Sequence, residues 1–121
     1  MELTIEEQKQ WEEIVAFVQQ NFQKSADVKS LLFLIGHREL GMANYDFEKE
    51  EKQDLMNLAT CKILSYGDYF KISGYDEDQW PVWEQEKPLP RLEVAEQETF
   101  LVKHIIRYFV NEGIISHDIK T

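Results

Sequence analysis

Leu31-Leu32-Phe33-Leu34-Ile35-Gly36-His37-Arg38-Glu39-Leu40-Gly41 is the stretch on which the fold turns. Five consecutive apolar residues leave no polar stripe for water. As a helix the segment is therefore covered on nearly every side, as the middle helix of a small α domain is. Gly41 stands at the usual stop position. Gly36 lies inside the helix, where glycine costs about 1 kcal/mol against alanine. Either another element crosses close there, the hairpin or the fourth helix, or the helix ends one turn earlier; the crossing is the leading expectation.

Working back from this stretch, Thr4-Ile5-Glu6-Glu7 has the form of a capping box. Trp11, Ile14, Val15, Val18 and Phe22 then recur at helical spacing, which predicts a first helix over 5–22. Ser25 or Asp27 can cap the second helix, about 28–40. Working forward, Asp46 is a good N-cap for a third helix, with Lys49 where a complete box would have glutamate. Its face is Leu55, Leu58, Ala59, Lys62, Ile63 and Tyr66, and Gly67 ends it. Tyr69 to Tyr75 then alternates with period two, and Trp80 to Glu86 is aromatic and β-branched, with Asp76-Glu77-Asp78-Gln79 between them. This is a hairpin, about 69–86, whose second strand is an edge because Pro81 cannot donate to a ladder. Phe70, Ile72 and one tryptophan are expected to pack on the helices. After Pro88 and Pro90, Leu92, Ala95, Thr99, Val102, Ile106, Phe109 and Val110 define a fourth helix ending near Asn111. Ile114 and Ile115 can dock behind it.

The sequence thus predicts one domain over 1–121. It is mainly α, with four helices packed around a central buried helix at about 28–40 and one β-hairpin between helices three and four. A chain of 121 residues with 43% hydrophobic and 30% charged residues suits a folded domain and not a disordered one.

Net charge is −10, from 23 acids and 13 bases with no basic cluster. Phosphate backbones and anionic lipid are poor partners for such a surface. One cysteine, Cys61, allows no intrachain disulfide. The first residues carry neither a basic nor an apolar leader pattern, and the longest apolar run falls short of a membrane span. A cytoplasmic location is the expectation, with no membrane partner.

Candidate chemistry is sparse. His37-Arg38-Glu39 could be an acid/base cluster, yet His37 and Arg38 also suit the negative end of a helix dipole. Glu39 does not, and should pair with a base elsewhere. No glutamate precedes a histidine by three positions, His-Glu-x-x-His and paired cysteines are missing, and His37, His104 and His117 fall in separate elements. No metal or cofactor is expected. Cys61 has no flanking nucleophile motif and reads as a small hydrophobe.

The acidic aromatic hairpin is the most unusual segment. Asp76, Glu77, Asp78, Glu84, Glu86, Glu93, Glu96 and Glu98 stand against Lys87 and Arg91, leaving −6 of the net −10 between residues 76 and 98. Trp80 and Trp83 are three apart in a strand and face opposite ways, so one ring can enter the core while the other stays outside. The leading expectation is a non-enzymatic protein-interaction or regulatory module with a protein partner, a basic one by charge. It would use Trp80, Trp83, Tyr75, Asp76, Glu77 and Asp78, and an exposed edge strand would also suit a homodimer.

The alternative is a small enzyme whose site gathers His37, Glu39 and His104. A third reading comes from element order, since three helices and a hairpin over 4–87 are similar to winged-helix DNA-binding domains. That resemblance rests on order and no motif. It implies a recognition helix at 47–62 and a wing at the hairpin, with nucleic acid as ligand. Glu48, Glu50, Glu51 and Asp54 on that helix, and the still more acidic wing, weigh against DNA.

Overall fold

A computed structural model describes residues 2–22, 26–41 and 48–115. The chain is mainly helical, in the order α1 (Ile5–Phe22), α2 (Val28–Leu40), α3 (Lys49–Ser65), β1 (Phe70–Tyr75), β2 (Pro81–Gln85) and α4 (Val94–Asn111). The hairpin falls between the third and fourth helices, as the sequence predicts. By its contacts the chain divides into two compact units. One is formed by the described parts of residues 1–30 and 91–121, the other by residues 31–90.

In the first unit α1 begins with the expected box: Glu7 N–H donates to Thr4 Oγ1 at 3.0 Å, and Thr4 N–H donates to Glu7 Oε1 at 2.9 Å. Two donors without helical partners are thereby satisfied. Glu7 Oε1 also accepts from Lys103 Nζ of α4 at 2.6 Å. Further along, the Phe17 ring meets Phe109 edge-on at 6.5 Å. Contacts follow the same order along both helices, so α1 and α4 run parallel. Gln10 is buried with Ile14 and Val18 because spacings of four stack them on one helix face. Phe22, expected on that face, is 46% exposed and rests edge-on to Phe17.

The fourth helix starts at Val94, two residues after the expected Leu92, because Glu93 is the N-cap and its N–H donates to Glu96 Oε1 at 3.3 Å. Its buried face includes His104 and Tyr108 besides the expected Val102, Ile106 and Phe109. Gly113, at φ +73°, closes it. Ile114 N–H reaches the Phe109 carbonyl and Gly113 N–H the Val110 carbonyl, the paired bonds of a left-handed helix stop. Ile115 is buried behind it.

In the second unit, no residue from Leu31 to His37 is exposed. Asp27 caps α2 by accepting Ser30 N–H at 2.7 Å, and that bond holds its carboxyl below the usual range. Ser25 lies outside the described residues. Gly36 does mark a close crossing, but the crossing element is α3 and not the hairpin or α4. A Cβ built on Gly36 would stand 2.6 Å from Leu55 Cγ and 2.7 Å from the Leu55 carbonyl oxygen. Helix three is capped by Glu48, whose N–H donates to Glu51 Oε1 at 2.9 Å. This complete glutamate pair replaces the incomplete box expected from Asp46, which lies outside the described residues. The helix ends through Asp68, at φ +65°, and not through Gly67. Tyr69 N–H then returns to the Leu64 carbonyl at 3.2 Å, and both strands of the hairpin pack on α3.

Candidate functional site

Strand pairing runs Phe70 with Gln85, Lys71 with Glu84, Ile72 with Trp83, Gly74 with Val82 and Tyr75 with Pro81. Ser73 is the extra residue of a bulge. The bulge changes the phase of β1, so Phe70, Ile72 and Tyr75 join Pro81, Trp83 and Gln85 on one side. Lys71, Val82 and Glu84 occupy the other. Phe70 and Trp83 are half-buried, whereas Lys71, Val82 and Glu84 are all exposed. The covered side is therefore that of Phe70 and Trp83.

At the tip, Asp76 organises the turn. Its N–H donates to the Trp80 carbonyl at 2.9 Å, and its own carbonyl accepts Gln79 N–H at 3.0 Å. Its Oδ1 accepts from the N–H groups of Asp78 and Trp80, each at 2.9 Å. The loop is thus three residues, Glu77 to Gln79, one fewer than the expected four. Gln79 takes the left-handed conformation at φ +69°, the position glycine ordinarily fills in this type of loop. Asp76 has a structural duty, while Glu77 and Asp78 are exposed beside it.

Neither tryptophan is left outside. Trp80 and Trp83 are both half-buried, and Trp83 Nε1 is buried with no hydrogen-bond acceptor among the described residues. The apolar groups that do reach solvent are Tyr75 at 62%, Val82 at 44% and Ile72 at 42% exposure. Ile72 was expected to pack inward. The Ser73-Gly74 pair was the sequence signal for a bulge, since glycine within a strand pattern often marks one. The acids Asp76, Glu77 and Asp78 that follow Tyr75 in the turn are exposed, as are Glu84, on the side of Val82, and Glu86. Lys71 Nζ lies 3.5 Å from Glu86, and Lys87 Nζ lies 4.5 Å above the Tyr69 ring.

The residues of the enzyme alternative fall in different units, His37 and Glu39 in one and His104 in the other. The His37 ring packs on Phe33 at 4.6 Å. Glu39 has the expected base: Lys62 of α3 at 3.7 Å, with Arg38 at 3.5 Å. His104 Nδ1 donates to the Phe100 carbonyl at 2.8 Å, so Nδ1 carries a proton. Burial pushes the Cys61 thiol up, away from the reactive thiolate. Among the described residues no three His, Cys, Asp or Glu side chains gather as a metal site, and no helix is long and apolar enough to cross a membrane.

Compared with protein-family models, curated proteins and solved structures, the chain matches none.

Proposed function

We propose that the chain is a non-enzymatic protein-interaction module of the cytoplasm whose contact surface is the hairpin, Phe70–Gln85. The observation that carries the reading is the exposure of Tyr75 and Ile72 on one side of the hairpin, next to the exposed acids Asp76, Glu77 and Asp78 of the turn, with Val82 and Glu84 exposed on the other side. Apolar groups inside a charged rim are the usual make-up of a contact patch, with the rim steering encounter and the apolar groups holding the complex. The partner is a protein with a basic surface. Nucleic acid is disfavoured because the same acids repel phosphate. Tyr75 is the anchor, and half-buried Trp83 stands on the same side, across the strand pair from Ile72.

The test is capture from an extract of the source cells on immobilised wild-type chain, Tyr75→Ala, and Glu77→Lys/Asp78→Lys. A protein retained by wild type should be lost from both variants and should elute as salt is raised, with the circular dichroism of all three chains the same. Retention by both folded variants would overturn the reading.

A further inference from the structure

A two-stranded sheet leaves backbone groups on both of its outer edges. Glu86 N–H donates to the Tyr69 carbonyl at 2.8 Å, and the Trp80 carbonyl accepts Asp76 N–H at 2.9 Å. Residues two apart along a strand point their backbone groups the same way, so Trp80, Val82, Glu84 and Glu86 face β1. Pro81, Trp83 and Gln85 accordingly turn theirs to the outer edge. Pro81 fits this phase, because its missing N–H falls where no ladder bond is lost. The edge then offers the N–H groups of Trp83 and Gln85 and the carbonyls of Pro81, Trp83 and Gln85. The outer edge of β1 is less regular, since the Ser73 bulge breaks its phase.

We propose that the outer edge of β2 receives an extended, lysine- or arginine-rich segment of a partner protein as a third strand. The inference rests on the interaction reading above and adds to it the mode of binding and the chemistry of the bound segment. Main-chain hydrogen bonds provide the register, and alternate side chains of the added strand come to lie on the Glu84 side. Charge selects the occupant. The hairpin carries Asp76, Glu77, Asp78, Glu84 and Glu86 against Lys71. A second copy of this chain would present the same acids, and like charges across a strand pair repel. A basic strand meets them with opposite charge.

The experiment titrates the full chain, labelled with nitrogen-15, at low salt with a capped octapeptide of alternating lysine and threonine. A twin peptide N-methylated at alternate residues keeps the charge but cannot pair along an edge. The expected result is that the Trp83 and Gln85 amides shift and exchange more slowly with the first peptide, and that the twin binds about tenfold more weakly. Gln85→Pro removes an outward donor and no ladder bond, and should weaken the first peptide in the same way. Equal affinity for both peptides, with shifts confined to Glu77, Asp78 and Glu84, overturns strand addition and leaves the interaction reading standing. Concentration-dependent protection of the Trp83 and Gln85 amides in the protein alone would make a second copy the occupant and overturn the proposal. No shift in the hairpin with either peptide at millimolar concentration overturns both readings.

Discussion

The α2–α3 crossing and the hairpin belong to the same stretch of sixty residues and are built on opposite terms. At Gly36 two helices meet so closely that one methyl group has no space, and the obstacle includes a backbone carbonyl as well as a side chain. On the hairpin, Tyr75, Val82 and Ile72 stand in solvent among carboxylates, on a sheet with no third strand among the described residues. The crossing is a site where nearly any larger residue is excluded by packing. The hairpin tip is free of that constraint, so its exposed side chains can be exchanged without disturbing packing.

The largest test of this contrast is Gly36→Ala. Helix propensity favours alanine by about 1 kcal/mol, but the new Cβ would stand 2.7 Å from the Leu55 carbonyl oxygen. Overpacking should win, with a net loss of about 2 kcal/mol seen as a lower urea midpoint. Adding Leu55→Ala clears the side chain and not the carbonyl, so the double variant should not recover. A Gly36→Ala chain as stable as wild type would mean that the helices do not cross there.

Next comes the hairpin itself. Trp83→Ala should cost about 2 kcal/mol because it removes half-buried aromatic area, whereas exposed Tyr75→Ala should stay within about 0.5 kcal/mol of wild type. Thermal melts that ranked them the other way would make Tyr75 the more deeply packed of the two.

Between the two extremes stands the α1–α4 pair, closed by a polar clamp. Burial alone would raise the Glu7 carboxyl, but hydrogen bonds from Lys103 and Thr4 outweigh it and hold the group below its ordinary 4.5. A depressed carboxyl stabilises the folded state above the unfolded value and loses that contribution as pH falls through 4.5 and below. Glu7→Gln should therefore cost about 1 kcal/mol at pH 7, a charge-assisted bond discounted for partial exposure. The gap to wild type should close as the solution is acidified toward pH 3. A gap independent of pH would assign the loss to packing.

Smallest of all are Gln79→Gly and Asp68→Gly. Each replaces a side chain held in the left-handed conformation, and each should stabilise by about 0.5 kcal/mol, read as slower hydrogen exchange in β1. Destabilisation by either glycine would show that the native side chain makes up for its backbone.

Much of this was readable from pattern alone. The first two helices run over the residues their spacing and caps announced, because a capping side chain and a 3.6-residue apolar period are local properties. Reading faltered where two local signals competed. Glu48 and Glu51 form the third-helix box although Asp46 looked the better cap, and Asp68 takes the left-handed turn although Gly67 stands beside it. In the candidate site, the aromatic and acidic character of the hairpin was plain, but which apolar groups reach solvent was not. A single bulge at Ser73 moves Tyr75 to the side of Phe70, Ile72 and Trp83. On that side Phe70 and Trp83 are half-buried while Ile72 and Tyr75 are exposed, a difference along one side that alternation does not encode.

What the sequence determined by itself is the set of elements: their order, their approximate ends and the acidity of the hairpin, with Gly36 singled out as the candidate for a tight contact. These follow from periodicity, caps and charge, which act over a few residues. Tertiary structure alone decided that α3 makes that contact, that α1 and α4 run parallel with Glu7 clamped to Lys103, and that Trp80 and Trp83 are both half-buried while Tyr75 is exposed. Those outcomes depend on which surfaces meet across long stretches of chain. Several pairings bury similar apolar area, and the choice among them is made by packing.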